Sequence, residues 1–77
     1  MPEPVTAKGR VQRIYPERGF GFIRCIEGPK DDIGQDCFFH HSALKDTVIF
    51  ELEEGSIVTF ELRTTAKGKR AEEVYRA

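Results

Sequence analysis

The sequence is poor in cysteine. Cys25 and Cys37 are its only two cysteines, too few for the disulfide framework that stabilises small secreted domains. We interpret both as reduced thiols. If their strands pair antiparallel, a bridge between them is geometrically allowed, but a reducing cytosol disfavours it.

The sequence also lacks a long apolar run. Its first residues, Met1–Val5, have neither a cationic start nor a hydrophobic stretch. No secretory signal and no membrane span are therefore predicted. We expect a cytoplasmic location and no membrane partner.

Metal-ligand spacing is missing as well, because the sequence contains no Cys-x-x-Cys pair. Adjacent residues of a strand, such as His40 and His41, are expected to point to opposite faces. A zinc site built from Cys25, Cys37 and these histidines is the weaker alternative. We predict no metal, no cofactor and no small-molecule substrate.

Net charge is close to zero, at −1, which by itself argues against a strongly basic nucleic-acid-binding protein. The charges are unevenly distributed. Residues 1–24 hold five Lys/Arg against two Asp/Glu, residues 25–61 hold two against nine, and residues 62–77 hold five against two. A fold that brings both ends to one side would create a positive groove. The alternative is that these charges only solvate the surface.

The length of 77 residues, with 39% hydrophobic and 32% charged residues, allows one soluble globular domain. We predict a single domain over residues 1–77, in which residues 1–7 form a short flexible tail with two prolines. We expect a monomer, with a weak dimer as the alternative.

Alternating aromatics are the most informative feature present. In Arg18–Ile23, Phe20 and Phe22 share one face of a predicted strand, while both glycines and Ile23 take the other. Arg18 lies two residues before Phe20, a spacing that matches the alternation of the two rings. Arginine beside exposed rings suits stacking on bases and neutralisation of phosphates.

A second run, Asp36–Ser42, shows the same alternation. Phe38 and His40 share one face, and Cys37 and Phe39 share the opposite one. For either run, the alternative is an ordinary buried strand. The presence of both favours an exposed aromatic platform.

The two runs resemble the ribonucleoprotein motifs of the cold-shock domain family. Arg18–Ile23 is similar to the first motif, Lys-Gly-Phe/Trp-Gly-Phe-Ile, and Cys37–Leu44 to the second, Val-Phe-Val-His-Phe-Ser-Ala-Ile. They follow Gly9–Val11, which resembles the first strand of the family, and precede Lys67–Ala71, which resembles its last turn. The resemblance spans about Gly9–Val74 and implies a five-stranded antiparallel OB-fold barrel.

The residue pattern also predicts an all-β chain of five short strands. The second strand starts at Phe20; the others are expected at Lys8–Tyr15, with a bulge at Arg13–Ile14, and at Asp36–His40, Ser56–Arg63 and Arg70–Tyr75. His41–Leu44 is predicted to turn and place Leu44 in the core. The loop Glu27–Gln35 looks longer than in compact bacterial relatives, which should alter the rim of the platform and leave the fold unchanged.

The resemblance also implies which residues contact nucleic acid. The positions that match the family pattern are Gln12, Arg13, Arg18, Phe20, Phe22, Asp36, Phe38, His40, His41 and Lys67. Arg13, Arg18 and Lys67 would track phosphates. Asp36 would accept a hydrogen bond from a base edge and supply a mild preference.

Several positions depart from the family pattern. Arg13 stands where tryptophan is usual, Ile14 where phenylalanine is usual, and His41 where phenylalanine is usual. Because cations replace rings, we predict weaker binding with a steeper salt dependence. Lys69 also replaces a common proline beside the face.

The preferred hypothesis is a single-stranded RNA and DNA-binding protein of cold-shock type. It would act without ATP as an RNA chaperone or a regulator of transcription and translation. The alternative is an OB-fold protein-interaction module with weakened nucleic-acid binding. A nuclease using His40 and His41 as acid and base is disfavoured, because on opposite faces they would not reach one phosphate. We predict no catalytic residues.

Overall fold

A computed structural model describes residues 5–77, most of which lie in five strands. The strands are β1 (Val5–Tyr15), β2 (Phe20–Glu27), β3 (Asp36–His40), β4 (Ile57–Thr65) and β5 (Gly68–Arg76), and a short 3₁₀ helix (His41–Ala43) follows β3. They close into a barrel in the order β1-β2-β3-β5-β4. The predicted all-β, five-stranded OB-type barrel is confirmed.

One pairing departs from the antiparallel prediction. Strands β3 and β5 run parallel where Phe38 lies opposite Arg70, and a parallel bridge between Leu44 and Val74 extends the contact. The other four pairings are antiparallel. The parallel contact closes the barrel between strands that are not consecutive in sequence.

Strand β1 begins earlier than predicted, at Val5 rather than Lys8. Residues 5–7 pair with Phe60–Leu62 of β4, and the side chain of Ala7 is buried. Because they pair with β4 and Ala7 faces inward in step with Gly9 and Val11, residues 5–7 belong to the barrel and not to a tail. The rest of the predicted tail, residues 1–4, lies outside the described residues.

The strand register shifts at three places, one of them between Lys8 and Gly9 in the β1–β2 pairing. In β1 the register shifts between Val11 and Arg13, one residue before the predicted position. In β5 the register shifts near Glu73, whose φ is 51°. The bulge in β5 explains how Ala71 and Val74, three residues apart, are both buried as predicted.

The interior is filled by the inward faces of all five strands, by Ala43 of the 3₁₀ helix and by two residues of the connection 45–54. Ile49 and Leu52 of that connection are buried, whereas Phe50 is 75% exposed. Leu44 packs against the core while remaining partly exposed. Within residues 5–77, no helix has the length and apolar character needed to cross a membrane.

Candidate functional site

Three rows of outward-facing side chains cross β1, β2 and β3, because the strand register places them opposite one another. Along β2 and β3 the rows are two residues apart, about 6.6 Å, whereas in β1 the bulge between Val11 and Arg13 separates the last two rows by three residues. We call this surface the aromatic-basic face; its rows are Tyr15–Phe20–His40, Arg13–Phe22–Phe38 and Arg10–Arg24–Asp36.

Four rings form a connected cluster on this face. The centroids of Phe20 and Phe38 lie 5.6 Å apart with planes 30° apart. Phe22 stands edge-on to both, at 6.1 Å from Phe20 and 6.0 Å from Phe38. Tyr15 lies 5.0 Å from Phe20. The three phenylalanines are partly exposed, so ring surface remains accessible to solvent.

Glycine on the inward side of β2 allows the strand to lie close to the core. A Cβ on Gly21 would lie 2.7 Å from the ring of Phe39 and 2.6 Å from the Arg13 carbonyl oxygen. Because only hydrogen fits there, the backbone between Phe20 and Phe22 rests directly on the buried Phe39 ring. The rings of the face thus stand on a packed support.

The two histidines lie side by side, which corrects the prediction that they point to opposite faces. Their ring centroids are 4.2 Å apart. The strand ends at His40 and the 3₁₀ helix begins at His41, so the period of two no longer applies. The backbone N–H of His41 donates to the carbonyl of Gly19 at 2.8 Å, which holds the pair beside Phe20.

The cysteines lie elsewhere, inside the barrel. Cys25 and Cys37 are free and buried, whereas His40 and His41 lie on the outer surface. The structure therefore does not assemble the zinc set considered from sequence. In the described part of the chain, no group of three or more His, Cys, Asp or Glu side chains is placed to hold a metal ion.

Burial also makes the thiols poor nucleophiles. It raises the pKa of Cys37 to about 11, with further contributions from Cys25 and Asp32. Burial raises the pKa of Cys25 as well, with Asp32 adding to it. Since the thiolate is the reactive form, both side chains are structural in this fold.

The basic residues predicted from sequence surround the rings. Arg13 and Gln12 line a cleft of about 410 Å³ beside Phe22. Arg18, in the turn before β2, borders Phe20 and Phe22. Lys67, in the β4–β5 turn, lines a second cleft of about 410 Å³ with Phe38. All three cations are exposed.

Asp36 is placed on the face as predicted, but it is already engaged. Its Oδ1 accepts a hydrogen bond from Arg24 Nε at 3.0 Å. Ile14, the departure next to Arg13, instead packs partly buried against the core. It therefore contributes little to the face.

Four further residues join the face that the predicted set omitted. Tyr15 stacks beside Phe20, Arg24 pairs with Asp36, and Phe50 shares a cleft with Tyr15 and Arg18. The guanidinium carbon of Arg70 lies 5.8 Å from the Phe38 centroid. Arg24 follows Phe22 at period two, a signal present in the sequence. The position of Arg70 depends on the parallel β3–β5 contact and has no local signal.

Comparison with known proteins gives a family match over most of the chain. A sequence model of the "'Cold-shock' DNA-binding domain" matches residues 7–77. The cold shock protein ScoF of Streptomyces coelicolor is 38% identical over 68 residues, covering 88% of this chain and 94% of that protein. The cold shock-like protein CspE of Bacillus anthracis is 37% identical over 70 residues, covering 91% and 96%.

A solved structure described as drosophila Unr CSD456 has a similar fold. It superposes with a TM-score of 0.71 at 24% identity, over 94% of this chain. This chain spans only 26% of that longer chain. At this identity the likeness concerns the fold alone.

Proposed function

This chain belongs to the cold-shock domain family, and on that premise we propose that it binds single-stranded RNA and DNA across the aromatic-basic face. The observation that carries the proposal is the cluster of Phe20, Phe22 and Phe38, whose rings are partly exposed and within about 6 Å of one another. Flat, accessible rings on a rigid sheet suit unpaired bases.

The energetic basis is base stacking, which is worth about 1 to 3 kcal/mol per base and depends little on base identity. Arg13, Arg18 and Lys67 each line a cleft with at least one of the rings and would neutralise phosphates of a strand lying across them. A duplex keeps its bases stacked inside and offers no free ring face. Preference for single strands follows.

The biological role that we propose is that of an RNA chaperone or a regulator of transcription and translation. By holding unpaired segments on the face, the protein would disfavour hairpins without consuming ATP. We further propose that residues 1–77 act as one cold-shock domain, as a cytoplasmic monomer. The family is a nucleic-acid-binding and non-enzymatic one, and this supports our proposal that the paired histidines contact nucleic acid and do not act in catalysis.

Fluorescence anisotropy with labelled heptanucleotides tests the proposal. Pyrimidine-rich and purine-rich single strands should bind, and a duplex of the same length should not compete. Phe20→Ala and Phe38→Ala should each weaken binding about 5- to 150-fold, from the stacking energy of one ring. Unchanged circular dichroism would show that folding is retained.

The same experiment addresses the alternative of a protein-interaction module. That alternative is favoured by Glu54, whose carboxylate accepts a hydrogen bond from the Ile14 N–H and lies in the cleft beside Arg13. A negative charge at this place opposes phosphate binding. If single strands fail to bind the folded protein, the interaction module replaces the nucleic-acid role. If they bind and both alanine variants bind them as the wild type does, the aromatic-basic face is not the binding site.

A further inference from the structure

We propose that Arg24 and Asp36 form a base-edge subsite that selects guanine at one position of the bound strand. The inference rests on the proposed function and adds a base preference to it. The observation behind it is the third row of the face, where an arginine and a carboxylate are fixed against each other beside an aromatic ring.

The geometry leaves this pair open to a ligand. Arg24 and Asp36 are direct cross-strand partners, joined by the bond from Nε to Oδ1 at 3.0 Å. Their side chains are 49% and 46% exposed. With Phe22 they line the cleft of about 410 Å³, so a base stacked on Phe22 would present an edge to both.

Hydrogen-bonding capacity remains on both partners. A guanidinium has five N–H donors, and the bond to Asp36 uses the one on Nε of Arg24. Within residues 5–77, Asp36 Oδ2 has no hydrogen-bond partner and Oδ1 has one. Each carboxylate oxygen accepts up to two bonds. The pair therefore offers two acceptors and up to four donors side by side.

Guanine matches this combination better than the other bases. Its Watson–Crick edge has one acceptor, O6, next to two adjacent donors, N1–H and the N2 amino group. The two donors suit the two carboxylate oxygens, and O6 suits an arginine N–H. Uracil has one donor between two carbonyl oxygens, so a carboxylate that accepts the donor faces a repelling oxygen. Adenine and cytosine each lack the second adjacent donor.

Cationic side chains near this acidic residue favour an anionic strand. Arg10 lies opposite Arg24 in the β1–β2 register, and Arg13 lines the same cleft as Arg24 and Asp36. Arginine therefore outnumbers carboxylate in this part of the face. A phosphate next to the selected base has cationic partners even though the base itself contacts Asp36.

A position-scanned binding series tests the inference. Anisotropy is measured for a heptauridylate and for seven variants carrying one guanosine each, and then with inosine, adenosine or cytidine at the preferred position. We expect guanosine at one position to increase affinity about tenfold, from one well-formed bidentate contact. Inosine, which lacks the N2 amino group, should lose most of that gain.

Variants assign the preference to the pair. Asp36→Asn and Arg24→Gln should each remove the guanosine gain, measured within each variant as the ratio of its affinity for the guanosine-containing strand to its affinity for the heptauridylate. Arg63→Gln is the charge-matched control, because Arg63 lies on β4 and pairs with Glu61 and Glu72. This control should keep the guanosine gain.

The outcomes separate the inference from the function on which it rests. If the heptauridylate binds and Phe38→Ala weakens it, but guanosine gives no gain at any position, the guanine subsite is wrong and the function stands. A gain that survives Asp36→Asn also overturns the subsite. If no single strand binds, both proposals are wrong.

Discussion

Lys69 places its Nζ 3.0 Å from Asp32 Oδ1, and this ion pair ties the long β2–β3 loop to the β4–β5 hairpin. The same nitrogen donates to Thr64 Oγ1 at 2.9 Å. Asp32 is the only buried charged residue among residues 5–77. The loop is therefore anchored beside the cleft that contains Phe38, and Lys69, at the position of a common family proline, supplies the anchor.

Removal of the anchor should cost stability. Lys69→Ala leaves the buried Asp32 carboxylate without its cation, so we expect the free energy of unfolding in urea to fall by about 1 to 2 kcal/mol. Lys45→Ala is the matched control, since Lys45 pairs with Glu73 at 3.7 Å between side chains that are both well exposed. It should cost about 0 to 1 kcal/mol. Equal losses in the two variants would show that the loop is not anchored by this pair.

Neighbouring phenylalanines should separate binding from folding. Phe39 is fully buried and Phe38 is partly exposed on the opposite side of β3. Phe39→Ala should lower the free energy of unfolding by about 3 to 5 kcal/mol, while Phe38→Ala should lower it by about 1 kcal/mol or less. Only Phe38→Ala should yield a folded protein with weakened oligonucleotide binding. Chemical denaturation of both variants, with anisotropy of the folded one, checks this, and comparable stability losses would contradict it.

The alternation of apolar residues was sufficient to predict the inner and outer sides of β2 and β3. The period of two showed which residues share a face, and the flanking Arg18 together with the second aromatic run indicated that the face of Phe20, Phe22 and Phe38 points outward. The same rule failed at His41 because strand β3 ends one residue earlier. Local patterns predict orientation only as far as the element extends.

The sequence pattern did not predict the contacts between strands that are distant in the chain. Arg70 meets Phe38 through the parallel β3–β5 contact, and no residue near either position indicates that pairing. The exposed ring of Phe50 belongs to a connection without periodicity, in which neighbouring Ile49 is buried. Packing of such a segment depends on the closed barrel around it.

Removal of the arginine at position 13 should reduce the salt dependence of single-strand binding. The side chain lies beside Phe22 and is exposed, so a phosphate contact there releases one counterion. A plot of log K against log salt for a single strand should become shallower by about 0.7 in Arg13→Gln. Arg76→Gln is the control, because Arg76 bonds to Asp46 away from the face, and its slope should equal that of the wild type. An affinity insensitive to salt would contradict the predicted phosphate contacts.

The buried thiols predict a loss of stability at alkaline pH. Burial raises the pKa of Cys37 from its ordinary value of 9.0 to about 11, so the unfolded chain releases this proton at lower pH than the folded one. The stability that the buried Cys37 thiol contributes is fully present below pH 9 and is lost as the pH rises toward 11, at about 1.4 kcal/mol per pH unit for one thiol.

Because lysines and tyrosines titrate in the same range, the informative quantity is the difference in the free energy of urea unfolding between the wild type and Cys37→Ala. That difference should shrink between pH 9 and 11, and iodoacetamide should label the folded protein far more slowly than the unfolded chain. Parallel stability curves with equally fast labelling would mean that the thiol is not buried in solution.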